Sequence, residues 1–345
     1  MSEVSRLDEF ALIRALTENR QTEAFLRSCG VVTGIGDDAA VVRVTEGRQL
    51  VLSCDAMVED VHFRTVTMRD EDIGYKLLAS NISDMAAMGA IPKFALVTLC
   101  LPRQAPVERI EAIYSGLYEC ARNYGVAVVG GDTTSTFGSL TLSVAIIGEV
   151  EADRALLRST ARPGDIVFVT GAPGLSAAGL HYLLRQEQEA GRWGPFPAGV
   201  EPLVRAHCRP APQVEAGRML LKSGVCGALN DISDGLASEV WEIAEASGLG
   251  ITLRQSLIPV DRNLLEYAMT VNADPWQWIL YGGEDYALVG TVRAGHAERL
   301  KRTFAQAGLA FHPIGEVNDG RHDVVLIAPD GAVSVLPKKG YNHFA

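Results

Sequence analysis

The sequence VAVVGGDTT at residues 126–134 joins a short apolar run to two glycines, an aspartate and two threonines. The apolar run predicts a buried strand, and the glycines allow backbone N–H groups to approach a phosphate closely. Asp132 could hold a metal ion, and the threonine hydroxyls could donate to phosphate oxygens. A tight turn between two strands would use the same residues. The segment therefore predicts a strand that ends either in a turn or in a phosphate and metal site.

Carboxylates recur beside glycine or a hydroxyl residue in five further short clusters. These are Gly36-Asp37-Asp38, Ser53-Cys54-Asp55, Asn81-Ile82-Ser83-Asp84, Asp231-Ile232-Ser233-Asp234-Gly235 and Gly282-Gly283-Glu284-Asp285. A single carboxylate of this kind is usually a solvated turn residue or a helix cap. Six clusters between residues 36 and 285 instead indicate one acidic site assembled from distant segments, because hard divalent cations prefer oxygen ligands. The pattern favours magnesium with a polyphosphate.

The length and charge of the chain limit its class. At 345 residues it is long enough for two domains, and we predict an N-terminal domain over 1–150 and a C-terminal domain over 151–345. The 31 basic and 42 acidic residues give a formal charge of −11, which disfavours nucleic acid or an anionic membrane as a partner.

The cysteines and the apolar segments indicate the compartment. Six widely spaced cysteines without a CxxC pair are typical of reduced thiols rather than of disulfides or zinc. The N-terminus is polar and shows no signal peptide, and no apolar segment reaches ~18 residues. We therefore expect a cytoplasmic protein with no membrane partner.

Hydrophobic periodicity predicts a mixed α/β (α+β) chain in two halves that join near residues 150–162. Helices are predicted over 8–17, 70–88, 107–124, 171–184, 213–223 and 236–247. Strands are predicted over 39–44, 50–54, 93–101, 126–129, 140–150, 166–170, 251–254, 286–291 and 324–328. Glycines and prolines at 186–200 predict a mobile surface excursion.

The predicted strands and helices place three of the aspartates. Asp55 would follow the strand 50–54, at the end where a strand presents a ligand, and Asp38 would lie just before the preceding strand. Asp84 falls inside the helix 70–88, with an apolar flank on its C-terminal side. A carboxylate in such surroundings requires a cation or hydrogen bonds to offset its desolvation.

The segment 231–235 precedes a predicted helix, so its aspartates could cap that helix or hold a metal. Two aspartates exceed what capping needs, and a helix N-terminus favours phosphate, which supports Ser233 and the Gly235 backbone as anion contacts. Arg158 could fork onto phosphate oxygens or be a surface arginine. His62, among acidic and apolar residues, is at least as readily a structural histidine as a ligand.

The chain lacks GxxxxGK[ST], the protein-kinase motifs and a complete GxGxxG, so phosphate chemistry requires another design. In order and spacing, the acidic clusters resemble those of the thiamine-monophosphate kinase family, within the superfamily of aminoimidazole ribonucleotide synthetase-like ATP-binding proteins. The resemblance runs from Asp8-Glu9-Phe10 to the ending Lys339-Gly340-Tyr341-Asn342-His343-Phe344. The GDD, GGD and SDG elements mark the superfamily, whereas His62 and Gly340-Tyr341 look most like the kinase.

The resemblance implies ATP-dependent phosphorylation of thiamine monophosphate to thiamine diphosphate, by direct in-line transfer assisted by several Mg²⁺ ions and without a covalent catalytic residue. It also implies a homodimer whose N-terminal domains join their sheets into a barrel-like interface, with ATP in a cleft beside it. The magnesium ligands that it implies are Asp38, Ser53, Cys54, Asp55, Asp84, Asp132, Asp231 and Asp234. The implied nucleotide contacts are Gly131, Asp132, Arg158 and Ser233, and the implied thiamine-phosphate contacts are His62, Glu284 and Tyr341.

Cys54 departs from the family pattern, which usually has threonine before the metal-binding aspartate. Magnesium prefers oxygen to sulfur, so we expect the backbone carbonyl of Cys54 or the Ser53 hydroxyl to serve as the ligand. The thiol would then be a small packing residue, as buried cysteines often are.

Other functions remain open at this level. One is another phosphoryl-transfer enzyme of the superfamily, like selenophosphate synthetase or a hydrogenase-maturation protein, and the other is a nucleotide-binding protein without turnover. The reactive cysteine or selenocysteine of selenophosphate synthetase is not seen beside an N-terminal glycine-rich segment. Residues 342–345 lack the terminal cysteine of a hydrogenase-maturation protein. Six costly clustered carboxylates disfavour a protein that has lost catalysis.

Overall fold

A computed structural model describes residues 9–189, 196–320 and 322–341. The helices are α1 (Glu9–Thr17), α2 (Glu23–Cys29), α3 (Asp70–Ala87), α4 (Val107–Tyr124), α5 (Leu175–Glu189), α6 (Glu201–Cys208), α7 (Val214–Ser223), α8 (Leu236–Ser247), α9 (Arg262–Val271), α10 (Pro275–Tyr281) and α11 (Ala297–Gln306). The strands are β1 (Val31–Thr33), β2 (Val41–Val42), β3 (Arg48–Val58), β4 (Ile91–Pro102), β5 (Ala127–Thr136), β6 (Thr141–Glu151), β7 (Ile166–Val169), β8 (Cys226–Asp231), β9 (Gly250–Arg254), β10 (Leu288–Val292), β11 (His312–Asn318), β12 (Val324–Ile327) and β13 (Val333–Val335). Among the described residues, no helix has the length and apolar character needed to cross a membrane.

The described residues form two compact units, each with its own large sheet. Unit 1 holds the described residues up to Met85 together with Ile91–Asp153. Unit 2 holds Ala86–Ala90 and the described residues from Arg154 onward. The mixed α/β class is confirmed.

Unit 1 is built on a four-stranded sheet in the order β3-β6-β4-β5. β6 runs antiparallel to both β3 and β4, while β4 and β5 run parallel. Side chains alternate between the two faces of a sheet, and on one of these faces Leu142, Val144 and Ile146 are fully buried. We call this the inner face; α3 lies against it, because a Cβ at Gly148 would be 2.6 Å from Met85 Sδ.

Two glycines let α3 and α4 approach closely. A Cβ at Gly74 of α3 would lie 1.7 Å from the carbonyl oxygen of Ile113, and a Cβ at Gly116 of α4 would lie 1.7 Å from that of Glu71. Any side chain at these positions would collide with backbone, so the packing of α3 depends on glycine at both. This packing matters for the site, because α3 carries Asp84.

Within the described part of the chain, the opposite, outer face of the sheet is covered at one end. There α2, β1 and β2 contribute to a small core of Cys29, Val31, Phe94, Ala127 and Val129. Elsewhere the outer face exposes apolar residues, among them Leu52 at 70% and Leu96 at 37%. An apolar sheet face of this kind typically serves an interface.

Unit 2 contains a seven-stranded sheet in the order β13-β12-β9-β11-β7-β10-β8. The β12–β9 pair is parallel and the other pairs are antiparallel. Buried side chains of the sheet pack against α8 and α10 in a core that includes Val167, Val289, Val240, Ile243 and Ile279. This core fixes α8 beside β8, so the short loop between them is held at both ends.

The structure confirms several predicted elements and corrects others. The helices predicted at 107–124 and 236–247 agree with α4 and α8 at both ends. β3 and β5 are longer than predicted, because pairing with β6 and β4 continues past the apolar runs. Asp55 and Asp132 therefore lie within strands and not after them.

The prediction of a surface excursion at 186–200 is wrong in its first part, since residues 186–189 continue α5. Residues 190–195 of that stretch lie outside the described residues, as do Asp8 and the ending 342–345. The domain limits at 1–150 and 151–345 stay a prediction.

Candidate active site

The inner face of β3 brings Ser53 and Asp55 against α3. The Ser53 hydroxyl donates to Asp84 Oδ2 (2.5 Å), and the backbone N–H of Asp55 donates to Asn81 Oδ1 (2.9 Å). Protein atoms around the Asp55 carboxylate raise its pKa, although the residue as a whole is exposed, and nearby His62 acts against that rise. Three of the predicted metal ligands thus lie on adjoining stretches of β3 and α3.

His62 lies in the turn that follows β3. Its Nδ1 accepts the backbone N–H of Val58 (3.0 Å), so a neutral ring carries its proton on Nε2 and presents a donor there. Arg109 holds the same turn in place by pairing with Glu59 Oε1 (2.6 Å) and Asp70 Oδ1 (3.0 Å). The backbone of Val58 therefore orients the His62 ring.

Cys54 and Asp132 lie on the outer face, opposite to Ser53. Cys54 Sγ is 3.3 Å from Ser143 Oγ, and Asp132 points the same way from β5. Because β3 and β5 are the two edges of the sheet, three strand spacings, or ~14 Å, separate them. One chain therefore does not bring these two side chains to the same ion. The thiol is exposed in the single chain, which contradicts a buried packing role there.

Gly131 and Asp38 complete the predicted set of unit 1. Gly131 has φ 154°, and a Cβ there would lie 1.8 Å from the carbonyl oxygen of Val97, so only glycine fits in this pairing with β4. Asp38 is exposed in a bend before β2, where its backbone N–H donates to Asp37 Oδ1 (2.9 Å). The structure thus places Asp38 in a loop, and not on β3 or α3 with Ser53, Asp55 and Asp84.

In unit 2, the loop between β8 and α8 contacts two other predicted segments. The backbone N–H of Glu284 donates to the carbonyl oxygen of Ser233 (2.7 Å), and that of Tyr341 donates to the carbonyl oxygen of Asp234 (3.4 Å). A Cβ at Gly340 would lie 2.7 Å from the Asp234 oxygen, so this close approach requires glycine. The nucleotide, metal and substrate contacts predicted for these residues therefore fall on one loop and its two neighbours.

Arg158 is held near this loop by residues that the sequence analysis missed. Its Nε donates to Asn230 Oδ1 (2.9 Å), and its Nη1 pairs with Glu242 Oε2 (2.9 Å). Asn230 also donates to Glu239, whose Oε1 accepts the backbone N–H of Asp234 (3.0 Å). Burial, followed by repulsion from Glu242, raises the pKa of Glu239 above its usual range. A glutamate in the first turn of a helix is ordinary, so the sequence carried no signal for this role.

Asp285, which the sequence analysis placed in an acidic cluster but gave no separate role, supports the neighbouring Glu284. Its oxygens accept the backbone N–H groups of Gly174 (2.5 Å) and Ser176 (3.1 Å) at the start of α5, while burial raises its pKa to about 7. Glu284 has φ 66°, a conformation that is strained for a residue with a side chain, and its Oε2 lies 3.4 Å from His207 Nδ1. These contacts hold Glu284 in its strained conformation. The run Gly282-Gly283 was the available sequence signal for an unusual backbone here.

The donor set suits magnesium by its chemistry. Within the residues that the structure describes, no three side chains of His, Cys, Asp or Glu gather closely enough to hold a metal unaided. Mg²⁺ usually takes one or two protein carboxylates together with substrate phosphates. The oxygens of Ser53 and Asp84 in unit 1, and those of Asp231 and Asp234 in unit 2, are of this kind.

Comparison with known proteins identifies the family. Residues 36–150 match the AIR synthase related protein N-terminal domain, and residues 162–328 match its C-terminal domain. Thiamine-monophosphate kinase of Bacillus subtilis (strain 168) is 43% identical over 342 residues, which are 98% of this chain and 100% of that protein. The crystal structure of thiamine-monophosphate kinase from Stenotrophomonas maltophilia K279a has a TM-score of 0.81 at 34% identity and covers 95% of this chain and 98% of its own.

A second solved structure, AaThiL complexed with AMPPCP and TMP, has a TM-score of 0.76 at 31% identity and covers 100% of this chain and 99% of its own. Both halves of the chain and its full length are accounted for by these similarities. The chain belongs to the thiamine-monophosphate kinase family, among the AIR synthase related proteins.

Proposed function

We propose that the protein transfers the terminal phosphoryl group of ATP to thiamine monophosphate and forms thiamine diphosphate. The observation that carries this proposal is the similarity, over the whole chain, to the solved structure of AaThiL complexed with AMPPCP and TMP. The acidic clusters at 36–38, 53–55, 81–84, 130–134 and 231–235 supply the oxygen chemistry that a reaction between two polyanions requires.

The residues of unit 2 suit a nucleotide. Arg158 presents a guanidinium that Asn230 and Glu242 orient, and a guanidinium can fork onto phosphate oxygens. Ser233 lies three residues before α8, where backbone N–H groups and the helix dipole favour an anion. In unit 1, Gly131 and Asp132 are exposed and offer a backbone and a carboxylate that suit a phosphate and its metal ion.

Several Mg²⁺ ions would be held by the carboxylates of both units. Asp38, Asp55, Asp84 and Asp132 are the candidates in unit 1, and Asp231 and Asp234 are those in unit 2. Ser53 would contribute its hydroxyl and Cys54 its backbone carbonyl, because the thiol points to the outer face and sulfur is a poor ligand for a hard cation. Bound there, magnesium would neutralise the phosphates and favour in-line transfer.

The acceptor requires little activation. The phosphate of a monoester has a second pKa of about 6, so its oxygen is largely ionised near pH 7. The chain's task is then to align two substrates and to reduce their repulsion, and no covalent intermediate on the protein is needed. His62 is suited to donate through Nε2 to the acceptor phosphate.

Glu284 and Tyr341 are suited to the thiazolium ring, which is cationic and aromatic. A tyrosine face attracts such a cation, and a carboxylate compensates its charge. Tyr341 is 53% exposed, so its ring is accessible to a ligand. Glu284 is held in a strained conformation, which is typical of residues fixed for binding.

We further propose a homodimer formed through the sheet of unit 1. β3 and β5 are edge strands of the described sheet, and long edge strands readily pair with another chain. The apolar outer face, with Leu52 and Leu96 exposed, would be covered by the same association. Light scattering after gel filtration should give twice the 37.0 kDa of one chain, and Leu52→Glu should shift the protein to the monomer mass. A wild-type protein that elutes as a monomer would contradict the dimer.

Release of ADP tests the proposed reaction directly. The protein should release ADP from Mg-ATP when thiamine monophosphate is present, with thiamine diphosphate formed in equal amount on chromatography. Thiamine without its phosphate is the matched control and should give no product. Release of ADP that does not depend on thiamine monophosphate would indicate another enzyme of the superfamily, and binding without turnover would indicate a sensor. Labelled protein after incubation with γ-labelled ATP would contradict direct transfer.

A further inference from the structure

A buried polar pair, Asn230 and Glu239, lies beneath the loop between β8 and α8 in unit 2. Asn230 is the penultimate residue of β8 and is 1% exposed, and Glu239 projects from the first turn of α8 and is 2% exposed. A buried carboxylate is costly unless hydrogen bonds satisfy its oxygens. The contacts of this pair therefore indicate why the fold retains it.

Both carboxylate oxygens of Glu239 accept hydrogen bonds that hold the loop between β8 and α8. Oε1 accepts the backbone N–H of Asp234 (3.0 Å) and the hydroxyl of Ser233 (3.3 Å). Oε2 accepts the side-chain N–H of Asn230. One carboxylate thus sets the positions of two residues that the proposed function assigns to metal and nucleotide.

Asn230 connects this carboxylate to Arg158. Its Oδ1 accepts Arg158 Nε (2.9 Å) and the backbone N–H of Asp231 (3.1 Å), and its Nδ2 donates to Glu239 and to Glu242 Oε2 (3.0 Å). With two donors at one end of the amide and two acceptors at the other, only one orientation of Asn230 satisfies the network. A single buried amide therefore links the guanidinium to the loop.

Helix capping alone does not account for this arrangement. The N-cap residue of α8 is Gly235, which has no side chain to cap with, and Glu239 Oε1 accepts from the residue before it. That contact orders the helix start, but it uses only one oxygen of the carboxylate. The second oxygen binds Asn230, which lies on another element and serves Arg158. The contact through the second oxygen therefore links α8, β8 and the loop of Arg158, which capping of one helix would not require.

We infer that Glu239 and Asn230 are positioning residues for nucleotide binding, which hold Arg158, Ser233 and Asp234 in a fixed mutual arrangement. The inference rests on the proposed function for the role of those three residues. Neither member of the pair needs to touch the substrate. Their loss should weaken the nucleotide site while leaving the acceptor site, which uses other side chains, largely as it is.

Two single variants and their combination test the pairing. In Glu239→Gln, the new side-chain NH₂ can face either the side-chain NH₂ of Asn230 or the backbone N–H of Asp234. Two donors then face each other in both orientations, so a buried donor stays unpaired. In Asn230→Asp, two carboxylates face each other. The double variant N230D/E239Q restores a donor and an acceptor in reversed order, with unchanged total charge. Glu242 is about one-third exposed, so it can turn away from the new aspartate.

Binding of Mg-AMPPCP by calorimetry is the primary measurement, because it does not depend on turnover of thiamine monophosphate. Each single variant should raise the Kd for Mg-AMPPCP and the KM for ATP by about tenfold or more, with the KM for thiamine monophosphate within about twofold of wild type. The double variant should recover most of the lost affinity. Glu245→Gln, on the same helix and paired with Lys338 at the surface, is the matched control and should bind like wild type.

Thermal unfolding of each variant separates positioning from general damage to the fold. Single variants that bind Mg-AMPPCP as wild type does would overturn the inference. So would a double variant that recovers its Tm without recovering nucleotide affinity, or a wild-type protein that does not bind Mg-AMPPCP. A wild-type protein that binds Mg-AMPPCP yet never uses thiamine monophosphate would refute the proposed function and leave this inference standing.

Discussion

Gly116→Ala should destabilise unit 1 strongly, because the added methyl group meets backbone. An ideal Cβ at this position lies 1.7 Å from the carbonyl oxygen of Glu71, whereas nonbonded heavy atoms normally rest about 3.5 Å apart. The helices α3 and α4 must therefore separate by about 2 Å. Gly74, which contacts Ile113 in the same crossing, gives no room for compensation.

The expected loss is about 3 kcal/mol, the upper part of the range for overpacked cores, because no flexible side chain can turn away. For a protein of this size about 1 kcal/mol shifts Tm by roughly 2–4 °C, so the variant should melt about 10 °C below wild type. α3 also carries Asn81 and Asp84, so turnover should fall even at temperatures where the variant is folded.

Calorimetry and circular dichroism would measure the Tm, with Gly295→Ala as the matched control. A Cβ at Gly295 meets nothing within 4 Å, and its φ is not in the left-handed range. This control should be neutral or more stable by up to about 1 kcal/mol, since alanine restricts the unfolded chain. A Gly116→Ala protein that melts within 2 °C of the Gly295→Ala protein would refute the close crossing of α3 and α4.

Three further outcomes follow from the site. Asp84→Asn should stay folded but lower turnover by more than about tenfold, and near wild-type activity at saturating magnesium would remove Asp84 from the metal ligands. Glu284→Gln and Tyr341→Ala should raise the KM for thiamine monophosphate more than that for ATP; equal effects would place both residues in folding or closure. Burial holds the pKa of Asp285 near 7, above its unfolded value, so this carboxyl stabilises the fold at low pH and the contribution is lost as pH rises through about 7. Urea unfolding should show Asp285→Asn gaining stability relative to wild type by roughly 2 kcal/mol between pH 5 and pH 8, and a constant difference would contradict the raised pKa.

The sequence was sufficient to predict helices whose hydrophobic pattern lies within their own residues. α4 and α8 agree with their predictions because an amphipathic helix displays its buried stripe in its own residues, at a spacing that no partner needs to supply. The acidic clusters were also visible, since carboxylates beside glycines stand out wherever they fold. The sequence therefore indicated the chemistry, a metal and polyphosphate class, before any contact was known.

The extent and the facing of the strands were not available from the sequence. β3 and β5 continue through Asp55 and Asp132 because neighbouring strands supply hydrogen-bonding partners, and a partner strand is not a local property. Alternation then places Ser53 and Cys54 on opposite faces, although they are adjacent in the chain. Which of two neighbouring side chains points toward α3 is decided by register alone.

The residues that support the site are recognisable only from the folded chain. Asn230 and Glu239 come from a strand and a helix and connect to Arg158 in a loop, and neither of the two has an unusual sequence context. Their common role arises because the core of unit 2 packs α8 beside β8, which leaves a buried amide to satisfy a buried carboxylate. The amino-acid sequence specifies which chemical groups are present. Packing of the folded chain specifies which of them face one another, because hydrogen bonds form only between atoms that packing brings within reach.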